Sequence, residues 1–394
     1  MKNANTQPGD FDQSFGQNGI VEIPPVFAPM LPRNVAGMAR QDDHILVATL
    51  AADERGGRHY GIVRLASDGS QDPTFGDNGL LVGRFDPNEH AQPEALATLG
   101  DGSIVMLGLT ANPAQPAPQP KCAVFSKDGK GLEKEFALQT PENSALVIGS
   151  GRLAASATHL MITLNLASTT AQPAPAPRIY RMDHAGNPGF PHGSFIDVDL
   201  MPGEHEVCAL SECQDGFIVA GTHSLNGQRK GFIARYDNTG KLDPTFGTNG
   251  FITLSIDDQS TAISTLLQRP NGALIALGEM QAGTTRQAWA WQFTAEGAPD
   301  PAFNNASPVQ EGTINAWHSA TLDADGRLIA FGQGGWLAYK RYLADGSPDN
   351  DYQPQPLIGI TDAMMCLNHG SNTLLAFNAT AVIGVIGTVA AIQN

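Results

Sequence analysis

Basic residues are in short supply. The 394-residue chain carries 23 Lys and Arg against 39 Asp and Glu, a formal net charge of −16, and charged residues of both signs make up only 16% of it. An acidic chain without a basic stripe repels phosphate backbones. That argues against nucleic-acid binding and, for the same reason, against anionic membrane surfaces. Cysteine is equally sparse. Cys122, Cys208, Cys213 and Cys366 show no C-x-x-C or Cys/His ligand spacing and read as small buried hydrophobes. Cys208 and Cys213 lie five apart across one expected strand, so they should face opposite ways. The first residues, Met1-Lys2-Asn3-Ala4-Asn5-Thr6-Gln7-Pro8, contain no apolar stretch of the kind a secretory signal needs. That leaves a cytoplasmic location, or export by a route that reads no such signal.

Membrane-length apolar runs are missing as well. Residues 374–392 contain no charge, but Asn378, Thr380, Gly384, Gly387 and Thr388 interrupt them, and the segment fits two strands better than a span. No nucleophile elbow, phosphate loop, H-E-x-x-H pair, dinucleotide fingerprint or EF-hand loop stands in a supporting context. Gly332-Gln333-Gly334-Gly335 reads as a turn between strands and not as a phosphate loop, because no helix follows it.

What the chain does hold is a repeat. Gly69-Ser70-Gln71-Asp72-Pro73-Thr74-Phe75-Gly76-Asp77-Asn78-Gly79 recurs as Gly240-Lys241-Leu242-Asp243-Pro244-Thr245-Phe246-Gly247-Thr248-Asn249-Gly250. A third copy opens the chain, with Asp12 and Phe15 at the matching positions. Weaker copies carry Asp300 with Phe303, Asp349 with Tyr352, and, drifted in spacing, Phe136 and Phe190. The aromatic positions are separated by 60, 61, 54, 56, 57 and 49 residues, and the step from Tyr352 through the C-terminus back to Phe15 is 57. Seven repeats therefore fit a circle with none left over.

Each repeat also reads as four strands. In the fifth copy these are 251–256, 262–268, 273–278 and 288–293, with Asn271-Gly272 as a hairpin turn between the second and third. A lone four-stranded sheet leaves both faces bare, and stacking such units around an axis covers them. The expected fold is all-β: one closed seven-bladed β-propeller over residues 1–394, with four antiparallel strands per blade and the two termini meeting in the seventh repeat. Residues 381–392 are expected as the last strand of that blade, with 9–19 leading from it into the first.

The repeated motif has a local mechanism. The Asp side chain can accept from backbone N–H groups two or three residues on, and Pro fixes the next φ. The aromatic is expected between blades. An Arg recurs five residues before the first motif Gly, at Arg64, Arg181, Arg235 and Arg341, with Gln292 and Val124 in two other copies. These Arg side chains are expected to pair with motif carboxylates or to cap carbonyls. The pattern G-x-x-D-P-T-F-G-x-N-G at this period resembles the delta-60 repeat family of Gram-negative bacteria. Membership would imply a propeller-like fold and supplies no catalytic motif.

Function would then sit on the face carrying the variable loops. His59, His90, His205 and His223 are expected in loops there, and Glu204-His205-Glu206 is the least poor metal-ligand candidate, since both carboxylates share one side of an extended segment. No cofactor is evident, although a divalent cation is left open. Two Pro-Ala tracts, 112–120 and 171–177, read as stiff spacers or docking segments. Trp289, Trp291, Trp317 and Trp336 cluster in the fifth and sixth repeats and could stack on sugars or anchor a partner, with inter-blade packing as the alternative. The leading expectation is a non-catalytic binding module for a protein or glycan. The alternatives are a subunit of an exported effector or toxin assembly, and a metal-dependent propeller hydrolase or lactonase.

Overall fold

The computed structural model describes residues 7–23, 35–53, 55–112, 118–141, 144–167, 176–334, 337–354, 363–369, 372–377 and 381–386. Apart from one 3-10 turn, Asn304–Ala306, all their regular structure is strand. The first sheet contains Val35–Gln41, His44–Ala52, Arg58–Leu65 and Leu80–Gly83. The second contains His90–Thr98, Ile104–Ala111, Gln119–Phe125 and Leu132–Ala137, and the third Arg152–Ala155, His159–Leu164, Arg178–Asp183 and Phe195–Asp197. The fourth is Glu204–Cys213, Gly216–Leu225, Gln228–Asp237 and Phe251–Leu254, and the fifth Ser260–Gln268, Leu274–Ala282, Thr285–Phe293 and Val309–Glu311. The sixth shows three strands, Ile314–Leu322, Leu328–Gly334 and Leu337–Tyr342. The seventh joins Ala363–His369, Asn372–Phe377 and Ala381–Ile386 to Ile20–Glu22 from the other end of the chain. A two-stranded ribbon, Ala145–Leu146 with Leu166–Ala167, stands beside the third sheet.

Two boundaries differ from the sequence expectation. The strand after the motif does not begin a new unit; it closes the preceding one, as in sheets one, four and five. Phe251–Leu254 pairs with residues 231–234, because the motif turn folds the chain back: Phe246 N–H donates to Asp243 O and Arg235 N–H to Gly250 O. The same offset acts at the termini. Residues 381–386 form the third strand of the seventh sheet, and its outermost strand is Ile20–Glu22, with Ile20 opposite Ile383 and Glu22 opposite Ala381. Residues 387–392 lie outside the described residues. The uncharged C-terminal stretch thus supplies strands, and no helix among the described residues is long and apolar enough to cross a membrane.

The second strands are apolar almost without a break, as Ile104–Ala111 shows, because both of their faces are covered. Among the described residues, seven apolar layers lie between sheets. One, with Leu46, Ile62, Phe75, Met106 and Phe125, joins the first and second sheets, and another, with Phe15, Val35, Val47 and Val382, joins the seventh and first. The motif turn sets each layer's edge. Its Asp takes the backbone N–H two residues on, as Thr74 N to Asp72 Oδ1 at 2.9 Å and Thr245 N to Asp243 Oδ1 at 2.9 Å. The same turn forms at Asp12, Asp300 and Asp349. The aromatic is buried against the first motif glycine of the next repeat. Phe75 lies under Gly129 (φ +69°), where a Cβ would come within 2.5 Å of the ring. Phe15 meets Gly69, Phe246 meets Gly297 and Phe303 meets Gly346 in the same way. The residue after the aromatic donates its N–H across: Gly16 to Asp68 O, Gly76 to Asp128 O, Gly247 to Glu296 O, Asn304 to Asp345 O. In the last repeat Gln353, next to buried Tyr352, donates to Pro8 O at 2.8 Å, so the seventh copy makes on the first copy the bond that the first, second, fifth and sixth copies make on their successors. The fourth copy has Pro191 there and no N–H to give.

The Arg column does what its recurrence suggested. Arg64, Arg235 and Arg341 each hold the motif Asp through Nε, at 2.7, 2.8 and 2.7 Å. Arg64 and Arg235 also reach a turn carbonyl of the next sheet, Lys127 O and Ala295 O, and Arg181 makes that contact with Asn238 O. The fifth sheet makes the same bridge with the residues exchanged. Gln292 stands at the Arg position and Arg269 at the position held by Gln41 in the first sheet. Both Arg–Gln pairs are bonded, Arg64 Nη1 to Gln41 Oε1 at 2.9 Å and Arg269 Nε to Gln292 Oε1 at 2.7 Å. Both reach the matching carbonyls of the next sheet: Gly102 and Lys127 in one case, Gly326 and Ala344 in the other.

Candidate functional site

The first strands of successive sheets pack side by side and surround a cavity of about 640 Å³. In five of these strands a β-bulge sets a residue apart at a matching place. The ladder skips Ala36, Glu94, Cys208, Ser264 and His318, at matching places in sheets one, two, four, five and six. A bulge leaves one residue unpaired and re-aims its side chain, and all five line the cavity. In the third sheet, which has no bulge there, Arg152 takes part instead. Apolar side chains, among them Val35, Leu153, Leu210 and Leu266, complete the wall, and the rim reaches Arg58, at the start of its strand, and the exposed Ile148 in a turn.

Glu94 is buried, at 8% exposure. Gly149 N–H donates to its Oε2 at 2.6 Å and Gln92 Nε2 to its Oε1 at 3.1 Å. Burial pushes the carboxyl above the usual carboxylate range, and the Gly149, Gln92 and Gly151 donors and the Arg152 charge only partly offset this. Arg152 is half-buried and fixed by carbonyls. Nε donates to Cys208 O at 2.8 Å, and Nη1 to Gly151 O at 2.9 Å and Gly149 O at 3.3 Å. Burial pushes the Cys208 thiol up to about 12, so it is neutral and a poor nucleophile. Ser264 Oγ is engaged by Trp317 O at 2.5 Å and Leu277 O at 3.2 Å. His318 stands exposed on the wall.

The residues singled out from sequence lie elsewhere. Glu204 and Glu206 are exposed on one side of their strand while His205 turns to the other, edge-on to Phe232 and 5.1 Å from the His223 ring. The described residues contain no group of three His, Cys, Asp or Glu side chains arranged to hold a metal. Trp289 and Trp317 are core residues at 0% and 1% exposure, which corrects their reading as stacking surfaces: strand alternation turns them between sheets. Trp291 shares the Trp289 face, and its Nε1 donates to Ala306 O at 3.0 Å. Trp336 lies outside the described residues, as does most of both Pro-Ala tracts. His59, His90, His205 and His223 sit in strands, not loops. His59 and Arg84 both bond Asp53, and the His59 bond leads in lowering that carboxyl to about 2. Cys208 and Cys213 pack against one apolar layer, because the bulge at Cys208 adds a residue and restores their parity.

Sequence reasoning missed the cavity residues, although a signal was present. Aligned on the strands, one column reads Ala36, Glu94, Cys208, Ser264 and His318, each followed by a small residue: Gly37, Ala95, Ala209, Thr265 and Ser319. Position-by-position variety inside a column of otherwise repetitive strands marks it.

Two stretches, residues 40–75 and 213–246, match the sequence profile of a β-propeller domain of unknown function (DUF5122). Both run from the end of a first strand to a motif aromatic. No curated protein matches the chain. Virginiamycin B lyase from Staphylococcus aureus is similar in structure, with a TM-score of 0.53 at 12% identity over 93% of this chain and 98% of the lyase chain. A catalytically inactive His-to-Ala variant of that lyase, crystallised with quinupristin, gives 0.51 at 12% identity over the same shares. At such identity the likeness is one of fold. The chain is an all-β repeat protein of propeller type.

Proposed function

We propose that the seven sheets are the blades of one closed seven-bladed propeller over residues 1–394, that its repeats are of the delta-60 type, and that it works as a non-catalytic binding module for a protein or glycan. Closure is supported by Ile20–Glu22 on Ala381–Ile386 and by the Gln353–Pro8 bond. Binding is supported above all by the contrast between the two repeated columns. Residues that hold neighbouring sheets together recur from copy to copy, while the bulged position is a different residue in each of sheets one, two, four, five and six and lines the cavity in all five. A rigid repeated frame around a varied lining is what recognition requires. Glycan and peptide arrays probed with the wild type and with Ala36→Phe, which fills the cavity from a half-buried position, test the reading. Hits that vanish in a variant of unchanged Tm support it; hits that persist place recognition elsewhere.

A second reading, an enzyme acting in the same cavity, is favoured by Glu94, Arg152 and His318 on one wall system and by the lyase likeness. Incubation with quinupristin followed by mass spectrometry checks it, and an unchanged substrate removes that activity.

A further inference from the structure

Arg152 is the feature of the cavity that its packing leaves unexplained. Its Nε and Nη1 are saturated by three backbone carbonyls, which pin the guanidinium plane. Among the described residues, Nη2 makes no hydrogen bond and the side chain forms no ion pair. Glu94 is near enough for its charge to be felt, yet its carboxylate is already occupied by Gly149 N–H and the Gln92 amide, and burial weakens its charged form. Arg58, on the rim, adds a second cation, and His318 a donor or acceptor on the wall. The cavity is therefore locally cationic within a chain of net charge −16. A half-buried guanidinium without an acidic partner is costly unless an anion completes it. The rest of the wall is largely apolar: Val35, Leu153, Leu210 and Leu266 face the same space.

We propose that the axial cavity binds a small organic anion with an apolar body, a carboxylate of fatty or aromatic character, whose head group takes the free Nη2 edge of Arg152. This deepens the cavity reading given above and depends on it. Arginine suits the role because its planar donors meet a carboxylate directly. The apolar wall then separates such a ligand from inorganic phosphate, which offers the same charge and no body.

Isothermal titration of the full chain with hexanoate, hexanamide and inorganic phosphate is the test. The expected result is saturable hexanoate binding. Losing one charge-assisted hydrogen bond weakens binding by about tenfold or more, and that drop is expected for hexanamide against hexanoate and for Arg152→Gln against wild type. Arg152 also braces Cys208 O, so Arg152→Gln is paired with Ala36→Phe, which leaves that brace intact and should abolish binding at unchanged Tm. Equal binding of hexanamide overturns the anionic assignment while leaving a cavity ligand standing. Phosphate binding as tightly as hexanoate overturns the apolar body. Hexanoate binding that survives Ala36→Phe removes the ligand from the cavity, and both readings fail together.

Discussion

The exchange of Arg and Gln between the first and fifth sheets permits a direct test of the bridge. Arg64→Gln leaves Asp72 one amide donor, as Gln292 gives Asp300 at 2.7 Å. It removes the bonds of Nη1 to Gln41 and Lys127 O and of Nη2 to Thr74, together with the cation stacked 4.7 Å from the Phe75 ring. The Arg64 and Asp72 side chains are only 12% and 10% exposed. Bonds to a charged group contribute about 1.5–3 kcal/mol each, and Lys127 O keeps Gln41 as a donor. A net loss of about 2–4 kcal/mol follows. Adding Gln41→Arg recreates the arrangement of the fifth sheet, where Arg269 reaches Gly326 O and Ala344 O. The double variant should recover most of the loss, a coupling of about 1.5 kcal/mol or more against the sum of the single changes. Chemical denaturation of the four proteins reads it directly. A double variant as unstable as the added singles would refute the view that the two positions form one bridge.

Four further outcomes are expected. Gly129→Ala faces both a positive φ of +69° and the Phe75 ring, whereas at Gly102 (φ +86°) the nearest atom to a new Cβ is 3.5 Å away; thermal melts should show Gly129→Ala losing more stability, by about 1–3 kcal/mol. Deleting residues 1–23 removes the outermost strand of the seventh sheet, the buried Phe15 and Ile23, and the Pro8 acceptor, so circular dichroism should report a fall in Tm of many degrees. The motif carboxyls of Asp72 and Asp243 are held below their ordinary range by the Thr74 and Thr245 hydroxyl bonds and by Arg64 and Arg235; at Asp72 these outweigh burial, which acts the other way. Depressed carboxyls stabilise the fold above their unfolded pKa and lose that contribution as pH falls through the folded value, so stability should drop below about pH 4. Burial, and then the His223 charge, lower the pKa of His205, so the fold should also weaken as pH falls through about 6.5, and His205→Leu should flatten that slope in a pH series of melts.

Much of the architecture is local enough to be legible in the chain. Asp-Pro-Thr-Phe-Gly specifies a turn through its own side chain, and a recurring turn at a near-constant period with four apolar runs between copies determines strands and sheets, because each term is set within a few residues. The pairing of Arg64 and Arg235 with motif carboxyls followed from recurrence alone. Which sheet a strand joins was not local. Residues 251–254 are equally good as the start of one unit or the edge of another, and only the fold-back hydrogen bonds around the motif turn assign them to the earlier sheet. The Trp residues show the same limit from the other side: composition cannot tell an indole packed between sheets from one facing solvent. The bulges at Glu94, Cys208, Ser264 and His318 shift the register by one residue, and no propensity announces that. The sequence by itself determined the repeat, its turns and its strands. The tertiary structure decided which side chains, drawn from six strands more than fifty residues apart, line one cavity, because that convergence is a property of the assembled sheets and of no single repeat.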